Sequence, residues 1–399
     1  AFLTSSANAI SGLPTRRSPS SRNNAASTVN FTGSKSEEVS SASKSFLTDI
    51  NHSVLKSNGY SILDAGEHRC YYGDQKATID GERMTIKAID LFCGAGGLTR
   101  GLLNAGIDVG LGVDVDPLCE FPYKANNGSD FLKQDVMTLS ADFVADHLSG
   151  GSYRLLAGCA PCQPFSNYSR GRYTYEPNKW GLLNAFGRLV MEIRPELVTM
   201  ENVFQLKNHK VFKKFQSTLT EQGYYVWFDH IDCHHYGLPQ TRRRLVLLAS
   251  RLGPIMPIAA THPSKVDWKT VRQTIEELPP LAAGEAASID RLHVSSTLTE
   301  INMKRIRASK PGGTWRDWPE QLIAECHKRT TGKTYPGVYG RMEWDTPSPT
   351  ITTQCFGFGN GRFGHPQQDR AISLREAAML QSFDREYAFI EEGQKINFK

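Results

Sequence analysis

No apolar run in this sequence approaches the roughly 18 residues that would argue for a membrane span, and no acid precedes Glu37. Cysteine is sparse. Eight residues scattered through 399 are too few for a disulfide scaffold and fit a reducing compartment. Only Cys159-x-x-Cys162 forms a close pair, and no second Cys-x-x-Cys exists to complete a four-ligand zinc site. No internal repeat is present. The net charge of +5 permits a polyanionic partner without demanding one. A soluble, monomeric, metal-free protein is expected, with no membrane partner.

The length suggests two domains plus a tail. Residues 1–45 are rich in Ser, Asn, Ala and Thr, with Arg16, Arg17, Arg22 and Lys35. Such a segment cannot bury enough apolar surface to offset chain entropy and reads as a disordered tail. An organellar transit peptide has the same Ser-rich, acid-poor signature, and a plastid location would follow from it. The start at Ala1-Phe2 suggests a processed chain or a fragment. Residues 46–84 read as an N-terminal extension.

From residue 85 to about 250, short apolar runs alternate with helical patterns. Ile86 to Phe92, Val109 to Val113, Tyr153 to Ala157, Leu197 to Met200 and Leu245 to Ala249 read as strands. Leu98 to Ile107, Leu182 to Ile193 and Val211 to Gln222 read as helices, the first stopped by Gly106. This alternation predicts an α/β fold with a doubly wound, mostly parallel, Rossmann-like sheet. Over 251–345 Pro, Gly and Trp break the rhythm, which predicts a second, smaller, irregular domain. Residues 346–399 are expected to return to the first.

The first strand ends in Asp90-Leu91-Phe92-Cys93-Gly94-Ala95-Gly96-Gly97, where glycines admit a ligand close to the backbone. Asp114, at the end of the second strand, can accept from both ribose hydroxyls of a nucleoside. An NAD enzyme would share this layout. The dinucleotide fingerprint, however, wants a third glycine where Thr99 stands. Asp135 and Val136 lie near the end of a third strand, an acid for an amino group and an apolar face for a ring.

Cys162 sits between Pro161 and Pro164 in Gly158-Cys159-Ala160-Pro161-Cys162-Gln163-Pro164-Phe165-Ser166, which fixes the backbone around it. A redox pair, or a zinc site drawing on Cys233-His234-His235, stays open on these residues alone. Glu201-Asn202-Val203 follows one strand and Gln240-Thr241-Arg242-Arg243-Arg244 precedes another. Together they offer a nucleophile, a carboxylic acid and planar cations at strand ends.

With Pro349-Thr350-Ile351-Thr352-Thr353 and Arg370-x-x-Ser373-x-Arg375-Glu376-x-Ala378-x-Leu380-Gln381-Ser382-Phe383, these motifs in this order resemble the cytosine-5 DNA methyltransferase family from about residue 86 to the end. The resemblance implies transfer of a methyl group from S-adenosylmethionine to carbon 5 of a cytosine in a specific sequence of double-stranded DNA. Cys162 would add to carbon 6 as a covalent nucleophile. Glu201, protonated or sharing a proton, would stabilise N3, and Arg244, with Arg242 beside it, would hold O2. As for methyltransferases in general, the base must flip out of the duplex. Phe92, Gly94, Ala95, Gly97, Asp114, Val115, Asp135, Val136, Pro161 and Leu183 match the family's cofactor contacts. Val115 stands where an aromatic is common, and the surroundings of Leu183 fit their motif loosely. Gln163, Ser166, Arg170, Arg172 and Gln240 match DNA contacts, and 251–345 takes the place of the target-recognition domain.

The resemblance implies a Gly-Asn-Ala-Val-Pro-Pro stretch beyond Lys399, so the chain reads as a fragment or as an incomplete enzyme. An RNA (tRNA) cytosine-5 methyltransferase and an inactive DNA-binding relative are the alternatives. By family habit the protein would work beside a restriction endonuclease, inside a DNA-containing compartment such as a bacterial cytoplasm or a nucleus.

Overall fold

The computed structural model describes residues 78–79, 82–161, 181–396 and 398. The 1–45 segment and most of the 46–84 extension lie outside the described residues. The described chain from Ile79 onward packs as one compact unit.

Its centre is a seven-stranded sheet. In chain order the strands are β1 (Ile86–Leu91), β2 (Asp108–Asp114), β3 (Asp130–Lys133), β4 (Tyr153–Gly158), β5 (Leu197–Val203), β6 (Tyr225–Asp232) and β7 (Arg243–Ser250). Across the sheet they run β3-β2-β1-β4-β5-β7-β6. Pairs β1/β2, β2/β3, β1/β4 and β4/β5 are parallel. β7 is antiparallel to both β5 and β6. The expected doubly wound, mostly parallel α/β sheet is therefore present, with one reversed strand.

Helices cover both faces, which explains why the strands read as continuous apolar runs and not as alternation. In β7, Leu245, Leu247 and Ala249 join one buried layer while Val246 and Leu248 join the other. The first layer packs under α3 (Ala141–His147), α4 (Gly181–Ile193) and α5 (Lys210–Glu221). α4 buries Leu183, Phe186, Val190 and Ile193, a three-and-four spacing that turns one face inward. Each such side chain contributes about 1.5–3 kcal/mol of burial. The opposite layer receives Leu102 of α1 (Gly97–Asn104). α1 stops where the sequence predicts, with Gly106 at φ +79°. Among the described residues of this half, a further helix, α2 (Glu120–Asn127), packs near β3 and α1.

After β1 the chain winds outward through β2 and β3, then returns to β4 on the far side of β1. The strand order reverses there, so a crevice opens at the carboxyl ends of β1 and β4, where open α/β sheets bind ligands.

Beyond Ser250 the elements are short: α6 (Val271–Ile275), α7 (Glu300–Ala308), α8 (Glu325–Lys328) and α9 (Leu374–Met379). Two small cores serve this region. One joins Val271, Ile275 and Met342 with Ile351, Phe363, Ile372 and Leu380. The other joins Ile306, Trp315 and Trp318 with Phe358 and Ala371. Residues 351–380 thus share their apolar contacts with 271–342. The fully buried Arg370 pairs with Glu376 through two bonds of 2.7 Å.

Candidate active site

The turn after β1 is wound by three residues with positive φ: Phe92 at +59°, Gly94 at +53° and Gly96 at +89°. The glycines do different work. A Cβ on Gly94 would meet nothing within 4 Å, so open space lies over its backbone. A Cβ on Gly96 would lie 2.2 Å from Nδ2 of Asn127 and 3.1 Å from the Tyr387 hydroxyl. Gly94 therefore leaves room for a ligand, while Gly96 lets protein pack behind the turn. Asp114 braces the turn by accepting from the Gly94 amide at 2.9 Å and from the Asp116 amide at 3.0 Å. Val115 beside it is 64% exposed.

Asp90 anchors the helix that follows. Its Oδ2 accepts from the amide and the hydroxyl of Thr99, at 3.1 and 2.8 Å, in the first turn of α1. Its Oδ1 is buried with no hydrogen-bond partner. Burial, opposed by the Thr99 bonds and reinforced by Asp114, pushes the Asp90 carboxyl up to about 7. Asp90 was not singled out in the sequence, although it opens the glycine motif.

Of the other cofactor candidates, Ala95 and Gly97 lie in or just after this turn. Asp135 is spent in part on the Met137 amide, at 2.9 Å. Val136 and Leu183 are buried in the larger core layer, and Pro161 is exposed after β4.

The acid and the cations meet at the ends of β5 and β7. The antiparallel register places Val203 opposite Arg244. Glu201, two residues earlier, points to the same face as Val203, because strand side chains alternate. Arg244 Nε donates to Glu201 Oε1 at 2.8 Å, with both side chains about five-sixths buried. Cys159 Sγ donates to Oε2 at 2.8 Å. Arg242, two residues before Arg244, lies on the same face, and its guanidinium is less basic than usual through burial and the like charge of Arg244. Asn202 points the other way, and its Nδ2 donates to the Ala160 carbonyl at 2.9 Å. It thereby ties down the backbone two residues before Cys162. Asn202 was not expected to take part, and Cys159 was weighed only as half of a redox pair or a zinc site. Asn202 stood inside a recognised motif, while Cys159 needed the strand register to reveal its partner.

Two cavities open on this cluster. One of about 1280 Å³ is lined by Phe204, Arg242, Arg243, Arg244, Thr350 and Phe383. The other, about 300 Å³, is lined by Cys159, Glu201, Arg242, Cys233, Leu98 and Phe383. Burial pushes the Cys233 thiol up to about 12. Among the described residues, no group of three or more His, Cys, Asp or Glu could hold a metal ion. No helix among them is long and apolar enough to cross a membrane.

A family model described as C-5 cytosine-specific DNA methylase matches residues 86–398. The Type II methylase M.HgiDII of Herpetosiphon aurantiacus is 48% identical over 319 residues, covering 79% of this chain and 89% of the relative. This chain belongs to the C-5 cytosine-specific DNA methylase family. Its enzyme class is DNA (cytosine-5)-methyltransferase, as the ordered motifs led us to expect. The Type II methyltransferase M1.HphI of Haemophilus parahaemolyticus is 32% identical, covering 78% of this chain and 81% of its own. The fold is shared with a solved prophage-encoded DNA modification methyltransferase from E. coli, at TM-score 0.58 and 21% identity over 76% of this chain and 90% of that one. It is also shared with the Entamoeba histolytica methyltransferase EhMeth, at TM-score 0.53 and 14% identity over 78% and 91%.

In this family member Gln240 is fully buried. Its Nε2 donates to the Leu380 carbonyl at 3.1 Å and its Oε1 accepts from the Ile351 amide at 3.2 Å. These two bonds join the sheet half to the second region. Cys162, Gln163, Ser166, Arg170 and Arg172 lie outside the described residues.

Proposed function

We propose that the chain transfers a methyl group from S-adenosylmethionine to carbon 5 of a cytosine flipped out of double-stranded DNA, through a transient bond from Cys162 to carbon 6. The single observation that carries this reading is the Glu201–Arg244 pair at the strand ends, with Asn202 holding the chain that leads into Pro161-Cys162.

The crevice fits a nucleoside methyl donor. Open space over Gly94 leaves room for the ligand, Asp114 at the end of β2 is assigned to the ribose hydroxyls, and exposed Val115 offers an apolar face for a ring. Phe92, Ala95, Gly97, Asp135, Val136, Pro161 and Leu183 complete the proposed set. When bound, the donor supplies an electrophilic methyl group on a sulfonium.

The protein's part is to make carbon 5 nucleophilic. The Cys162 thiolate forms a bond to carbon 6, and the electron pair of the 5,6 double bond moves toward carbon 5 and N3. Glu201 shares a proton with N3 once the base is bound, and Arg244 and Arg242 stabilise negative charge at O2. Loss of the carbon 5 proton and expulsion of the thiolate restore the ring. Gln163, Ser166, Arg170 and Arg172 are assigned to the DNA strand, and the 251–345 region to sequence recognition. The names of the Type II relatives support pairing with a restriction endonuclease.

The test is incubation with methyl-labelled S-adenosylmethionine and duplex DNA, single-stranded DNA or tRNA. Label in 5-methylcytosine of the duplex, abolished by Cys162→Ala, is expected. Label in tRNA alone would overturn the choice of substrate.

A further inference from the structure

We infer that Cys159 is a positioning residue for Glu201, its thiol holding one carboxylate oxygen while Arg244 holds the other. This rests on the role proposed above for Glu201 and adds a group to which that reading gives no part.

The strand register produces the contact. β4 and β5 are parallel and pair Gly158 with Met200, so the next residues, Cys159 and Glu201, stand opposite each other. The Cys159 amide donates to the Leu91 carbonyl of β1 at 3.2 Å, continuing the ladder one residue past β4. Its backbone is thus pinned to the sheet, and the thiol reaches Glu201 Oε2 at 2.8 Å.

A glutamate has several rotatable bonds. Held by Arg244 Nε at one oxygen alone, its carboxylate could pivot about that contact. The alternative position exists, because the 300 Å³ cavity lined by both Cys159 and Glu201 adjoins it. A second contact on the other oxygen removes that freedom. A thiol suits the task, since it is a weak donor. It holds the oxygen in place in the resting site, yet gives it up cheaply when that oxygen turns to share a proton with the ring nitrogen.

The experiment measures kcat, KM for duplex DNA and Kd for S-adenosylmethionine in the full chain. The variants are Cys159→Ala, Cys159→Ser, Glu201→Gln and the Cys159→Ala/Glu201→Gln double. Cys159→Ala should lower kcat by about tenfold, the scale of one lost hydrogen bond. KM and Kd should stay within about twofold, because the contact orders the reacting acid and not the ligands. Serine supplies a donor at the same place and should restore most of kcat. In the Glu201→Gln background, Cys159→Ala should cost nothing further, since it acts only through that side chain. Wild-type kcat in Cys159→Ala, equal loss in the serine variant, or losses that multiply in the double variant would overturn the inference. Full turnover by Glu201→Gln would instead overturn the role of Glu201 itself.

Discussion

The hydroxyl of Tyr387 donates to the carbonyl of Ala95 at 2.6 Å, joining residues 292 positions apart. The same oxygen accepts from Asn127 Nδ2 at 3.2 Å. The chain after α9 is thereby latched to the back of the glycine turn. Tyr387→Phe should cost about 1–3 kcal/mol, because it leaves the Ala95 carbonyl without its donor. Urea unfolding would read the stability, and calorimetric titration should show S-adenosylmethionine binding weakened severalfold. Lost stability with unchanged donor affinity would mean that the latch does not shape the turn.

The two turn glycines should separate folding from binding. Gly96→Ala brings a methyl to 2.2 Å from Asn127 in a left-handed backbone, and should lower the melting temperature sharply or prevent folding. Gly94→Ala meets no atom and pays only for its φ of +53°, about 1 kcal/mol. Its methyl occupies the open space over the turn, so donor binding should fall by at least about tenfold in a folded protein, as when a ligand's place is obstructed. Equal damage to folding from both substitutions would contradict this division.

Asp90 gives a pH dependence with a defined sign. An unfolded aspartate titrates near about 3.9, and burial pushes the folded Asp90 up to about 7. Between these values the folded chain binds the extra proton, so the Asp90 contribution falls as pH rises from about 4 to about 7. Burial lowers His365 to about 4, against about 6.5 unfolded, which acts in the opposite sense across much of that window. The readout is therefore a difference. Asp90→Asn should gain stability relative to the wild type between pH 5 and pH 8, followed by chemical denaturation. A gap that does not change with pH would show that Asp90 does not titrate there.

Much of this architecture could be read from the chain, and particular residues show why the rest could not. The apolar runs at Ile86, Val109, Tyr153, Leu197 and Leu245 fell within observed strands, because strands buried on both faces need continuous apolar sequence. β6 escaped notice. It lies at the sheet edge, and Asp229, His230 and Asp232 interrupt its pattern. Glu201 and Arg244 were picked out because their motifs stand in order. Cys159 and Tyr387 act through contacts set by register and tertiary packing, which no local pattern encodes. Gln240 lay in a recognised motif, yet its amide is engaged by two backbone groups of distant segments.

The Arg370–Glu376 pair should be structural. Both side chains are fully buried, and Glu376 also accepts from the Ser373 amide at 2.7 Å. Arg370→Met leaves a buried carboxylate uncompensated and should destabilise the chain by about 3–5 kcal/mol. Arg370→Met combined with Glu376→Leu should recover part of that loss, because no charge then remains unpaired. A double variant no more stable than the single one would count against this origin of the damage.

The covalent step has the most direct measurement. The full chain is mixed with S-adenosylmethionine and duplex DNA carrying 5-fluorocytosine at the target position, then digested and analysed by mass spectrometry. A denaturation-resistant complex, with the modified base on the peptide containing Cys162 and absent from Cys162→Ala, is the expected result. Methylation of ordinary duplex DNA without any such complex, or with the base attached to another residue, would contradict a mechanism that runs through the Cys162 sulfur.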